Sequence, residues 1–136
     1  MNLREELEAA ARRWISLWCA PVDWALFDQL HAADFVDGSP AGRGTDKRSF
    51  AAGLAELMVA FPDLQTHVDD LVVDESRGRI AIRWSAVGTN CSRFLGVGPT
   101  GLPTPLRGIE IIEVRHGKIT KRWGEWDSSA HSDRER

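Results

Sequence analysis

The chain has 136 residues, of which 43% are hydrophobic, a size and composition that form one domain around one core without help from a metal or a disulfide. Its 17 basic and 20 acidic side chains interleave and leave a net charge of −3, which excludes the electrostatic footprint of a nucleic-acid or anionic-membrane binder. Cys19 and Cys91 lie far apart without CxxC spacing, no leader-like segment precedes the first helical pattern, and no apolar run nears the roughly 20 residues that cross a bilayer. A reduced, cytoplasmic protein with a small molecule or another protein as partner is therefore expected.

From Leu3, the apolar residues Leu7, Ala11, Trp14, Leu17 and Trp18 recur at helical spacing, with Pro21 closing the pattern. Asp23 is the expected N-cap of a second, short helix whose apolar face is Trp24, Phe27 and Leu30. His31-Ala32-Ala33-Asp34 ends that helix and steps into a short strand at Phe35-Val36. Residues 37–44 are dense in glycine and turn formers and read as a loop. Thr45 or Asp46 then caps a third helix, where Phe50, Leu54, Leu57, Met58 and Phe61 share one side and Pro62 ends it.

Beyond Pro62 the period becomes strand-like. Gln65 to Val73 is one expected strand. After a turn at Ser76-Arg77-Gly78, Arg79 to Thr89 is a second, in which Ile80, Ile82 and Trp84 alternate with Arg79, Ala81, Arg83 and Ser85. A Gly/Pro-rich loop from Asn90 to Pro103 leads to Thr104–Val114 and Lys118–Asp127, a hairpin about His116-Gly117. The domain is expected to span 1–127, with 128–136 a flexible polar tail. Helices followed by an antiparallel meander specify an α+β domain whose helices pack on one face of a curved sheet.

The order of elements and their residues resembles the SnoaL-like polyketide cyclase family within the nuclear transport factor 2-like superfamily. The matching pieces are Arg13-Trp14, Asp34-Phe35-Val36, Ala60-Phe61-Pro62-Asp63, Arg83-Trp84, Gly88-Thr89, Pro99-Thr100-Gly101, Arg107-Gly108-Ile109, Gly117-Lys118-Ile119, Trp123 and Asp127. The resemblance implies a cone: a curved, mostly antiparallel sheet wrapped around three helices, enclosing an apolar cavity. It also implies a hydrophobic small-molecule ligand, a homodimer, and ring closure by carboxylate acid/base catalysis without metal or cofactor. Six Trp and no Tyr suit either the core, the expected role of most of them, or the wall of a ligand cavity. Trp14, Trp18, Phe35, Phe61 and Trp123 are the wall candidates, and Arg83, Asn90 and Glu125 the polar binding candidates.

Alternation bears on which acids can act. With a two-residue turn at His116-Gly117, Val114 faces Ile119, Ile112 faces Lys121 and Glu110 faces Trp123, so Glu110 shares a side with Trp123, Glu125 and Asp127. Glu110 is then either a carboxylate beside an indole in an apolar wall, where its pKa rises, or the partner of Lys121 or Arg122 on a solvated face. Asp127 matches an acidic position of the family pattern and also suits a turn. Glu110 and Asp127 are the catalytic candidates. Asp37 corresponds to the base of related ketosteroid isomerases but precedes Gly38-Ser39-Pro40, a turn sequence.

Many relatives carry His where this chain has Gly38 and Asn90, and Asp where it has Gly124. A glycine transfers no proton. Three function classes follow: an acid/base enzyme, a ligand-binding module that has lost its proton-transfer groups, and an interaction domain pairing through an outer row such as Ile109, Ile111 and Thr120.

Overall fold

Three polar side chains start the three helices, each accepting a backbone N–H of the first turn. Asn2 Oδ1 accepts from Glu5 at 2.9 Å and begins α1 (Leu3–Ile15); Asp23 Oδ1 accepts from Leu26 at 3.0 Å and begins α2 (Trp24–Leu30). Asp46, rather than Thr45, caps α3 (Lys47–Ala60) by accepting from Ser49 at 3.2 Å. A single 3-10 turn, Ser16–Trp18, extends α1. The computed structural model describes residues 1–94, 96 and 98–127, so the expected tail lies outside the described residues.

Among the described residues there are five strands: β1 (His31–Asp37), β2 (Gln65–Asp74), β3 (Arg79–Thr89), β4 (Pro103–Arg115) and β5 (Lys118–Asp127). They form one sheet in the order β1-β5-β4-β3-β2, in which β2 to β5 are an antiparallel meander and β1 runs parallel to β5. The fold is the expected α+β class, with a mixed sheet. β1 is longer than the Phe35-Val36 step because β5, more than 80 residues later, offers it a parallel partner, pairing Asp37 with Arg122.

One face of the sheet packs against the helices. Ile80, Ile82, Trp84 and Ala86 of β3 are buried there together with Leu106 and Ile112 of β4, whereas Arg83 and Val87 point outward. Trp14, Phe27, Phe35 and Phe50 converge on this layer around His31, a buried imidazole. Its Nε2 accepts from the Trp14 indole at 2.9 Å and its Nδ1 lies 2.7 Å from the Phe27 carbonyl. Those two contacts specify the neutral tautomer with the proton on Nδ1. Burial first of all, against the support of the Phe27 carbonyl, lowers the His31 pKa to about 4.

The last hairpin corrects the simple register. His116 and Gly117, with φ of 53° and 76°, make the expected two-residue turn, and Val114 faces Ile119. A bulge then intervenes, after which Ile112 faces Arg122 and Glu110 faces Gly124 rather than Lys121 and Trp123. Thr120 is the extra residue, held by Oγ1 contacts to the Glu113 carbonyl at 3.3 Å and its carboxylate at 3.0 Å. One inserted residue exchanges the faces of the rest of the strand. Arg122, Gly124 and Trp126 therefore turn inward, and Trp123, Glu125 and Asp127 turn away from Glu110.

Candidate active site

Glu110 is the centre of the inward face. It is only 3% exposed, and Arg122 reaches it from β5 with Nε and Nη2 at 3.0 and 2.7 Å from the same oxygen, Oε1. Oε2 accepts the Trp126 indole N–H at 3.1 Å. The other end of the Arg122 guanidinium donates through Nη1 to Asp37 Oδ1 at 2.9 Å and to the Ser39 carbonyl at 3.0 Å. Asp37 Oδ1 also accepts the Ser39 backbone N–H at 2.9 Å, and Arg43 Nη2 lies 3.4 Å from its other oxygen.

One buried guanidinium thus stands between two buried carboxylates, from the first and fourth strands. Burial pushes the Glu110 pKa up to about 7, against the opposing pull of Arg122, Trp126 and Trp84. For Arg122, burial works against the charge, but Glu110 and Asp37 outweigh it and the pKa is raised. The carboxyl that faces the aromatic interior is therefore poised to gain or lose a proton near neutrality, the property wanted in a general acid or base. The motif of paired carboxylates on one cation keeps the charge near balance in either state.

Two glycines make this arrangement possible. At Gly124 a Cβ would collide with Glu110 Oε2 and Arg122 Nη2. At Gly38 it would sit 2.7 Å from the Trp123 ring and 2.9 Å from the Arg122 carbonyl, which accepts the Gly38 N–H at 2.7 Å. Close backbone approach thus takes up both positions, and the acid at the centre of the cluster comes from the neighbouring strand.

Glu110 opens onto a cavity of about 10 Å³ walled by Trp14, Trp18, Trp84 and Trp126, which is room for a single water-sized group. Trp18 and Trp126 also line a larger groove of about 640 Å³ at the outside, between α3, the segment after β1 and the segment after β3. Arg122, Glu125, Phe50 and Phe94 contribute to that groove. The two indoles form the partition between groove and cavity.

The remaining sequence candidates scatter. Trp14 and Trp18 line the cavity, and Glu125, exposed, lines the groove. Phe35 packs on His31 and Phe50, and Phe61 meets Phe94 edge to face at 5.6 Å. Trp123 lies on the outer face between Arg79 and Lys121, whose charges sit 5.0 and 4.8 Å from its ring. Arg83 is outward, 3.8 Å from Asp69, and Asp127 is bound by Arg107 at 2.7 Å, away from the Glu110 cluster. Asn90 is fully buried, but it lines neither space; its backbone pairs with Leu102 and Gly101, and its Nδ2 donates to the Gly98 carbonyl at 3.4 Å. Among the described residues no group of three or more His, Cys, Asp or Glu is placed to hold a metal ion.

Arg122 and Asp37 are the members of this cluster that the sequence does not single out. The sequence offers Arg122 only as an alternative to Lys121 for pairing with Glu110 on a solvated face, because the bulge carries no sequence mark. Asp37 reads as a turn former, and it does form that turn through Ser39, while its other contacts come from across the sheet.

The sequence model of a family described as SnoaL-like polyketide cyclase matches residues 8–132. Among solved structures, AclR from Streptomyces galilaeus, a proposed hydroxylase, is 22% identical with a TM-score of 0.83, over 98% of this chain and 96% of that one. IdmH from Streptomyces antibioticus, a proposed polyketide cyclase, is 26% identical with a TM-score of 0.80, over 93% and 96%. TsrD from Streptomyces laurentii is 18% identical with a TM-score of 0.83, over 96% and 94%. Comparison with curated proteins found no match.

Proposed function

Because the chain belongs to the SnoaL-like polyketide cyclase family, we propose that it is a cofactor-independent enzyme that moves protons on an enolisable, hydrophobic small molecule, with Glu110 as the acid/base. The observation that carries this reading is the Glu110 carboxyl, buried against Trp84 and Trp126 with its pKa brought to about 7. In its ionised form Glu110 takes a proton from the carbon next to a ketone. The C–H electrons pass into the enolate, and the proton now on Glu110 returns to carbon or to the alkoxide formed when the enolate carbon attacks a second carbonyl. Arg122, fixed by Asp37, keeps the carboxyl oriented and limits how far burial raises its pKa.

Exchange of the α-protons of acetylnaphthalene in deuterated water tests the reading directly. The wild-type protein is expected to accelerate exchange and Glu110→Gln to abolish the acceleration; equal rates for the two proteins end the assignment.

A second reading, a binding module that holds ligand without turnover, is favoured by one observation: both Glu110 oxygens already have donors, Arg122 on one and Trp126 on the other. It predicts ligand binding with no exchange in either protein. In both readings the unit is a homodimer, formed through the outer sheet face where Val72, Ile109 and Ile111 are exposed. Ile109→Lys with Ile111→Lys should then give a monomer by sedimentation.

A further inference from the structure

Trp84 is 4% exposed, yet its indole N–H is buried with no hydrogen-bond partner. The ring has one place to lie. Trp84 stands opposite Gly108, and a Cβ there would come within 2.7 Å of the indole Cζ2, so the glycine gives it a flat bed on the neighbouring strand. Trp126 meets it edge to face at 5.0 Å from the other side. The N–H faces the same chamber as Glu110, near enough to draw the carboxyl pKa down but outside hydrogen-bond geometry. Trp126, by contrast, donates to Glu110 outright.

A buried donor without an acceptor is costly, and native proteins keep few of them without a reason. Glu110 is its near neighbour, but the N–H does not reach the carboxyl in hydrogen-bond geometry. The chamber between them has about 10 Å³, the space of one oxygen-sized group, and it abuts the 640 Å³ groove through Trp18 and Trp126.

We infer that Trp84 binds the carbonyl oxygen of the substrate: an aryl or polycyclic ketone whose hydrophobic body occupies the groove and whose oxygen enters the chamber between Trp18 and Trp126 to accept the Trp84 N–H. The donor lies beside the carboxyl that handles the α-proton, so the oxygen that gains charge on enolisation is the one Trp84 holds. Selection follows from chemistry and size. A ketone satisfies the orphan donor, an alkyl group of the same shape leaves it unmet, and a bulkier leading group has no room. The inference rests on the reading of this chamber as the reactive site.

Two probes of nearly equal shape decide it: acetylnaphthalene, and isopropenylnaphthalene, in which a =CH2 group stands in place of the carbonyl oxygen. The wild-type protein should bind the ketone about tenfold more tightly, as expected for one hydrogen bond to a buried donor. The Trp84 indole N–H resonance, assigned by its loss in Trp84→Phe, should move downfield with the ketone and stay still with the hydrocarbon. In Trp84→Phe the preference should vanish. Equal affinities, no binding of the ketone, a resonance the ketone leaves unmoved, or a preference that survives in Trp84→Phe each overturn the inference. Should Trp84→Phe not fold, assignment by selective labelling and the wild-type titration decide alone. Loss of α-proton exchange catalysis with ketone preference intact would remove the acid/base reading and leave the Trp84 site standing; the reverse pattern removes only Trp84.

Discussion

Glu110 and Gly124 stand directly opposite each other on β4 and β5, and the carboxyl of the first fills the place where a side chain of the second would begin. The two positions are therefore one site with room for one acid. Gly124→Ala puts a methyl group into Glu110 and Arg122, and should lower stability by roughly 1–3 kcal/mol, the range for overpacking a filled site. Glu110→Ala in the same chain should recover part of that loss. Urea midpoints for both singles and the double give the coupling, and strict additivity would show that the two residues do not compete for space.

Arg122 bridges two buried carboxylates, so its removal leaves both without their main partner. Arg122→Met is expected to cost roughly 3–5 kcal/mol in denaturant unfolding, the range for breaking a buried ion pair from one side. Because Arg122 holds the Glu110 pKa down, the variant should also shift the pH profile of α-proton exchange to higher pH. A profile that does not move would mean Glu110 is not the titrating group. Asp37→Asn should move it less, since Asp37 acts only through Arg122.

The raised pKa of Glu110 sets the sign of a stability trend. The folded state keeps the proton up to about pH 7, while the unfolded chain releases it near 4.5. Stability from this group is fully present below 4.5 and is lost as pH rises through about 7, a total on the order of 3 kcal/mol. Glu110→Gln, which stays neutral, should flatten that fall. Urea midpoints at acid and alkaline pH measure it, and an unchanged slope in the variant would contradict the assignment.

His31 runs the other way. Its folded pKa of about 4 lies below the ordinary 6.5, so the unfolded chain takes up the proton first as pH falls. The stability it contributes is complete above 6.5 and lost as pH drops towards 4, about 2 kcal/mol by pH 5. Protonating Nε2 would also leave the Trp14 N–H facing a donor. His31→Gln should weaken the acid-side loss, with thermal midpoints across this range as the readout; an acid-side slope as steep as in the wild type would mean the loss comes from other groups.

Most of the scaffold is legible in the sequence because it is local. Asp23 and Asp46 sit one residue before their helices, Phe50 to Phe61 repeat at helical spacing, and Ile80, Ile82 and Trp84 alternate along β3. The site is less legible because its determinants are not local. β1 shows no clean alternation, since His31-Ala32-Ala33-Asp34 becomes a strand only when β5 arrives beside it. The contact from Arg122 to Asp37 joins residues 85 apart. Glu110 was identified as a buried carboxylate candidate, but its neighbouring indole is Trp126 rather than Trp123, and the difference is the single extra residue Thr120.

That bulge gives the final strand two possible identities. From Lys121 onward the chain carries two interleaved messages: Arg122-Gly124-Trp126, a cation, a gap and an indole donor, and Lys121-Trp123-Glu125-Asp127, a charged outer surface. Which one the interior receives depends on one codon at position 120. Deleting it would leave every reacting side chain in the gene and send the guanidinium and the indole into solvent, so the last strand stores the site in its parity as much as in its residues.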